Sequence, residues 1–292
     1  MCDENSMDDM VEFARRSNEV SRRRFGALSL GMGMTMMLPR VVGAAEVKES
    51  DVEISTPDGI ADAYFVHPSV GAHAGVLIWA DALGLRPAFR QMGKRLAESG
   101  YAVLVPNPFY RQAKAPVVPP GASFSDPETR KVVMSMMAAL NPATHVTDAK
   151  AFIAFLDGQS AVDKRRKLAT TGYCMGGPIT MRTAATFPDR IGAAASFHGG
   201  GLVTDKPESP HLLVPKMQAS YLIAIADNDD QREPASKEVL RKAFADAKLP
   251  AEIEVYGGAK HGWCPPDSAV YDEAQAEKAW ARMLAIFKTA LA

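Results

Sequence analysis

Gly172-Tyr173-Cys174-Met175-Gly176-Gly177 lies between an extended run, residues 167–171, and residues 178–186, which read as a helix. One reactive side chain flanked by small residues, between a strand and a helix, is the pattern of a nucleophile elbow. Such a turn is too tight for Cβ atoms at Gly172 and Gly176, and Gly177 lets the helix pack close against the strand. The side chain of Cys174 is thereby pushed out into a cleft. Here the nucleophile is a thiol, and a helix N-terminus beneath it favours the thiolate through its partial positive charge.

Short β-rich runs alternate with helical ones on both sides of this elbow. Residues 51–55 and 60–66 flank Thr56-Pro57-Asp58-Gly59 and read as an antiparallel hairpin. Residues 75–79 and 101–105 are apolar runs suited to buried strands, with an amphipathic helix over residues 87–99 between them, stopped by Gly100. Residues 144–156 predict a helix that leads through a charged turn into the elbow strand. Three more strands are expected over 191–197, 221–226 and 253–256, with helices over 236–247 and 271–291. Repeated β-then-α order predicts an α/β fold, with a mostly parallel central sheet and helices on both faces. Ligands in such sheets bind at the carboxyl ends of the strands. Residues 109–142 are the least regular part, carrying Pro116, Pro119, Pro120 and Pro127 around one predicted helix, 126–140. This excursion is expected either to lean over the cleft or to be an ordinary surface connection.

The chain has 292 residues and a formal net charge of −1, with acidic and basic residues interspersed. No basic stripe with interleaved aromatics is present, which argues against a nucleic-acid partner. Ser21-Arg22-Arg23-Arg24-Phe25 precedes a Gly- and Met-rich apolar segment, residues 26–38, followed by small residues at 42–45. This is the layout of a twin-arginine signal peptide, and the apolar stretch is too short for a spanning helix. The expected division is a signal peptide over 1–45, cleaved near Ala44 or Ala45, and one α/β domain over 46–292, exported to the periplasm by the twin-arginine machinery. With Cys2 in the leader, Cys174 and Cys264 remain, which is not a disulfide framework.

A cysteine nucleophile needs a base, and the base an orienting acid. In this architecture the acid follows the nucleophile and the histidine comes last. The strand at 221–226 runs into Asp227-Asn228-Asp229-Asp230, where the acid should sit. Asp229 is favoured from the strand start, Asp230 remains open, and Asp227 is assigned to the strand itself. Gly257-Gly258-Ala259-Lys260-His261-Gly262 places a histidine in a small-residue loop after the last strand, free to bend toward the cleft. His198 ends a strand but precedes the acid, the wrong order for the base, so it is expected to line the site. His67, His73, His145 and His211 read as surface residues.

The cysteine elbow, the Ala226-Asp-Asn-Asp229 strand end, the Ala259-Lys-His-Gly262 loop and the Ile54-Ser-Thr-Pro-Asp-Gly59 hairpin together resemble the dienelactone hydrolase family of α/β-hydrolases. The resemblance runs from about residue 50 to the C-terminus and implies a Cys174–Asp229–His261 triad. It further implies an oxyanion hole from the backbone N–H groups of Ala82 and Met175, and an acid at Asp81 that holds the resting thiol. Asp81 stands where the family carries glutamate, so its reach is one methylene shorter. Family members that act on dienelactone have an arginine a few residues beyond the histidine, which clamps the substrate carboxylate. This chain reads His261-Gly-Trp-Cys-Pro-Pro-Asp267 there. Arg130 and Arg111 are the available replacements, and Trp263 and His198 would make the pocket aromatic.

The expected activity is cofactor-independent and metal-independent hydrolysis of small esters or lactones through an acyl-enzyme. The alternative is a periplasmic thiol redox or ligand-binding protein on the same fold, with Cys174 and Cys264 able to pair.

Overall fold

Eight strands form one sheet in a computed structural model that describes residues 38–292. They are β1 (Val47–Thr56), β2 (Gly59–Pro68), β3 (Gly75–Trp79), β4 (Ala102–Pro106), β5 (Leu168–Tyr173), β6 (Ile191–Phe197), β7 (Ser220–Ala226) and β8 (Ala251–Tyr256). The order across the sheet is β1-β2-β4-β3-β5-β6-β7-β8. The β1–β2 hairpin and the β2–β4 pair are antiparallel, and the remaining neighbours are parallel. Strands β3 to β6 are buried along their whole length, as strands covered on both faces are; β3 and β4 are continuously apolar, whereas β5 and β6 also bury Thr170, Thr171 and Ser196. β1, at one edge, carries Lys48, Glu49, Asp51 and Glu53 and is mostly exposed; charges on an edge strand discourage pairing with other chains.

Seven α-helices pack around the sheet among the described residues: α1 (Pro87–Glu98), α2 (Pro127–Met137), α3 (Pro142–Gly158), α4 (Gly176–Thr186), α5 (Asp227–Arg232), α6 (Ser236–Asp246) and α7 (Glu273–Ala290). Alternate side chains of each strand feed two separate cores. Val76, Ile78, Val103 and Val105 pack with Phe89, Met92 and Leu96 of α1 and Met283 and Phe287 of α7. Leu77, Trp79 and Leu104 face the other way, onto Phe152 and Leu156 of α3, Ile179 of α4 and Phe244 of α6. The period-2 alternation of the strands thus builds both faces at once. This is the α/β-hydrolase fold.

The topology also opens the cleft. β3 continues into α1 on one face, whereas its neighbour β5 continues into α4 on the other. The two chain paths diverge at the carboxyl ends, and such a switch point leaves a crevice above the sheet.

Several boundaries differ from the sequence reading: β1 starts four residues earlier, β8 two earlier, and α2 ends three residues sooner. α3 begins at Pro142, two residues early, because Asn141 caps it. Its side chain accepts the Ala143 and Thr144 N–H groups while the Thr144 hydroxyl accepts from the Asn141 N–H. β7 ends at Ala226, so Asp227 is the first residue of a short helix and not the last of the strand. The twin-arginine motif and most of the apolar segment lie outside the described residues. Within them, Ala45 N–H donates to Glu98 O at 2.9 Å, and no helix is long and apolar enough to cross a membrane.

Candidate active site

Cys174 sits directly after β5 with φ 53°, in the left-handed region that side chains rarely adopt. The conformation costs on the order of 1 kcal/mol, and the neighbouring glycines make it possible. A Cβ on Gly172 would lie 2.0 Å from Gly176 O, and one on Gly177 would lie 2.5 Å from Ser196 Oγ and 2.6 Å from Gly199 Cα. Gly177 therefore lets α4 approach the end of β6, the neighbouring strand, rather than the strand it follows. The turn is tied down by Cys174 N–H to Phe197 O and by Gly177 N–H to Cys174 O, both 3.0 Å. Met175 caps α4, so the thiol stands at the positive end of that helix.

His261 Nδ1 lies 2.7 Å from Asp229 Oδ2, and Cys174 acts electrostatically on the same ring. With Nδ1 taken by the carboxylate, Nε2 is the nitrogen left for the thiol proton, and it is buried with no other hydrogen-bond partner. The loop carrying the histidine is fixed by His261 N–H donating to Asn228 Oδ1 at 2.8 Å, so α5 holds both the ring and its acid. Burial would lower the pKa of His261, but the Asp229 carboxylate and Cys174 outweigh it and hold the imidazole well above its ordinary range. The neighbouring carboxylates are engaged elsewhere. Asp230 pairs with Lys237 at 2.6 Å, and Asp227 accepts the Gly258 N–H at 3.2 Å.

Ala82 follows β3 and Met175 opens α4; both are buried in a small cluster with Cys174, Phe109, Val118, Phe124, Val133 and Met137. Neither backbone N–H donates to a protein acceptor among the described residues, so both remain available at the thiol. A cavity of about 190 Å³ adjoins them, walled by Leu83, Cys174, His198, Gly262 and Val270 and by residues 121–125. The irregular excursion thus does lean over the cleft.

His198 is only 1 % exposed, has φ 40°, and neither ring nitrogen has a hydrogen-bond partner. Its ring stands edge-on between His261 and Trp263, with centroids 5.0 and 5.1 Å away. Burial, then the neighbouring His261, pushes its pKa well below the usual value, so it is a neutral imidazole at the cavity wall. Trp263, expected to contact substrate, is instead fully buried behind His198, stacked on Tyr256 at 5.3 Å.

Asp81 lines the cavity, but its carboxylate is engaged by Arg86, through Nη1 to Oδ1 at 2.6 Å and Nη2 to Oδ2 at 3.0 Å, and by the Leu83 N–H. A carboxylate so held is committed to the guanidinium, in contrast to the thiol-holding role expected for it. Arg130 is not on the cavity wall. It donates to Phe124 O at 3.3 Å, with its guanidinium 5.7 Å over the Phe124 ring. Arg111 is likewise elsewhere, bound to Asp58 and to buried Asp148. His145, read as a surface residue, is half-buried, and burial with nearby Arg182 pushes its pKa down to about 3. Cys174 and Cys264 form no disulfide and line different cavities, Cys264 beside Met92, Tyr173 and Trp280.

The sequence reading missed Arg86 and Asp267. Arg86 was the one charge in the otherwise apolar loop 82–87, and an isolated charge in such a loop is the signal that marks it.

The sequence profile of the dienelactone hydrolase family matches residues 61–291. A Salmonella typhi protein named "Putative carboxymethylenebutenolidase" is 28% identical over 273 residues, covering 87% of this chain and 97% of that one. The carboxymethylenebutenolidase of Rhodococcus opacus is 24% identical over 231 residues, covering 77% and 85%. Among solved structures, a "Putative Dienelactone Hydrolase" from Klebsiella pneumoniae superposes with a TM-score of 0.71 at 25% identity, covering 83% of this chain and 99% of that one.

Proposed function

The chain belongs to the dienelactone hydrolase family, and from that premise we propose that it hydrolyses small carboxylic esters or lactones through a Cys174–His261–Asp229 triad. One observation carries the reading: a single imidazole is held by the Asp229 carboxylate and coupled electrostatically to the elbow cysteine, which lines a cavity together with Ala82. The Cys174 thiolate attacks the substrate carbonyl carbon, and the carbonyl electron pair moves to oxygen. The N–H groups of Ala82 and Met175 receive that oxyanion; losing one such donor typically costs about 3 kcal/mol of transition-state stabilisation. As the intermediate collapses, the ester C–O bond breaks and protonated His261 gives its proton to the departing oxygen. The neutral ring then takes a proton from water, which attacks the thioester and expels the thiolate. The carboxylic acid leaves, and the pair returns to its starting state. Asp229 fixes the ring tautomer and balances its charge throughout. The test is turnover of 4-nitrophenyl acetate and of small lactones by the purified protein. The redox alternative loses support because the two thiols line separate cavities.

His198 is proposed as the substrate-positioning residue, since a buried neutral imidazole with two unmatched nitrogens offers one donor and one acceptor to whatever enters. His198→Phe keeps the ring between His261 and Trp263 but removes both polar atoms. Losing one hydrogen bond to substrate is expected to raise KM about threefold to tenfold, with kcat changed far less. The sign of its pKa shift gives a second readout. A pKa lowered on folding means stability is present above the ordinary histidine range and is lost as pH falls below it. The Phe variant should therefore lose less stability to urea between neutral and mildly acidic pH than the native protein. Equal acid slopes, with KM unmoved, would remove His198 from the site.

Export by the twin-arginine route to the periplasm, with residues 1–45 as the cleaved signal, is proposed on the Ser21–Phe25 motif and the short apolar segment after it. Replacing Arg22 and Arg23 with Lys should trap the precursor in the cytoplasm. Cell fractionation that finds the variant exported as well as the native chain would sink this localisation.

A further inference from the structure

The most strongly charged feature of the cavity is not used by the chemistry above. Arg86, whose side chain is only 8% exposed, lies between two carboxylates on the cavity wall, Asp81 and Asp267. A guanidinium has five N–H donors. In Arg86 all five are taken: Nε by Asp267 Oδ2 at 2.7 Å, Nη1 by Asp81 Oδ1 at 2.6 Å and Gly84 O at 3.3 Å, Nη2 by Asp81 Oδ2 at 3.0 Å and Asp267 Oδ1 at 2.9 Å. Its ring-like plane also covers Phe89, 5.0 Å from the centroid.

A cationic side chain at a hydrolase pocket invites the reading that it clamps a substrate carboxylate. This one has no donor left to do so. Two carboxylates against one guanidinium leave the wall with a net negative charge, because no other Asp, Glu, Lys or Arg lines the cavity and His198 is neutral. The rest of the wall is Ala82, Leu83, Phe124, Ala269 and Val270, with hydroxyls from Ser123, Ser125 and Ser268. A carboxylate brought in would lose its water, meet one net negative charge at close range, and find no free guanidinium in return.

We infer that the Asp81–Arg86–Asp267 clamp makes the cavity selective for uncharged acyl groups and excludes carboxylate-bearing esters and lactones. The clamp is a selectivity device: Arg86 holds the two carboxylates in place at the wall, and their surplus charge does the excluding. This deepens the hydrolase reading, and its test is arranged to stand without turnover.

Iodoacetamide and iodoacetate alkylate a thiolate by the same displacement of iodide and differ in one carboxylate. Their rates at Cys174, located by mass spectrometry, are compared with their rates on 2-mercaptoethanol, which sets the intrinsic ratio. The amide should be favoured at least tenfold beyond that ratio. The excess should shrink as ionic strength rises from about 0.01 M to 1 M, where the Debye length falls from about 30 Å to about 3 Å. Asp267→Asn, which removes the surplus charge, should bring the excess to within about threefold. In parallel, 4-nitrophenyl butyrate and the 4-nitrophenyl monoester of succinic acid are compared by kcat/KM, with the same direction expected. An amide-to-acid ratio equal to that of the free thiol overturns the inference, as does one unmoved by both salt and Asp267→Asn. Selective alkylation with turnover of neither ester upholds the charge selection and ends the hydrolytic reading.

Discussion

Cys174→Ala should reduce ester turnover by on the order of 10⁴-fold or more while leaving the fold in place. The sulfur is the atom that forms the new bond, and no other nucleophile on the cavity wall contacts His261. The structural cost is small for two reasons. Alanine carries the same Cβ into the left-handed turn, so the strain at φ 53° is unchanged, and the turn is shaped by glycines and backbone hydrogen bonds. Removing one buried sulfur should cost about 1 kcal/mol, a shift of roughly 2–4 °C in a domain of this size. Cys174→Ser should retain a trace at most. A hydroxyl is a much weaker nucleophile, and its base must be closer to remove a less acidic proton. The measurements are kcat/KM on 4-nitrophenyl acetate and a thermal melt of each variant. An Ala variant that melts normally and turns over ester at the native rate would end the cysteine mechanism.

The backbone was legible wherever one kind of signal acted alone. Strands β3, β4 and β6 are short, mostly apolar runs, and β5 is legible as the extended run that leads into the elbow; the bounds of each fall within a residue or two of the sequence reading. The elbow was legible because its glycines answer a steric demand that is local: Gly172 is excluded from carrying a Cβ by Gly176, four residues away. The misreadings share the opposite character. Asp227 was placed in the strand because nothing in Ala226-Asp-Asn-Asp229 marks where pairing with β8 stops. Trp263 looked like a pocket residue because its depth is set by Tyr256 and His198, which come from other strand ends. The Arg86–Asp267 pair joins residues 181 positions apart. Each carried an ambiguous charge in sequence, and only the closure of the sheet's carboxyl edge brings them together. Local rules therefore reached the three residues proposed as nucleophile, base and acid, and stopped short of the wall proposed to select what meets them.

Asp229→Asn and Asp230→Asn should separate two adjacent carboxylates by their effect on rate. In the first, an amide replaces the oxygen that accepts from His261 Nδ1 at 2.7 Å. Either the amide nitrogen opposes the ring N–H or the ring adopts the other tautomer, which leaves Nε2 unable to accept a proton. A loss of about 10³- to 10⁴-fold in kcat is expected from such a change. The pH profile should move as well. Asp229 is the largest influence raising the His261 pKa, and burial opposes it. Without the carboxylate, burial prevails, the imidazolium is lost at lower pH, and the basic limb of kcat/KM shifts toward acid. Asp230→Asn only weakens an ion pair with Lys237, partly exposed on α6, and should leave the rate within about threefold, as for most surface pairs. Arg232 lies 3.6 Å from Asp229 Oδ1 and offsets part of its charge, so its alanine variant should shift the same limb slightly the other way, toward higher pH. A greater loss at Asp230 than at Asp229 would mean that the working acid lies one residue further along the turn.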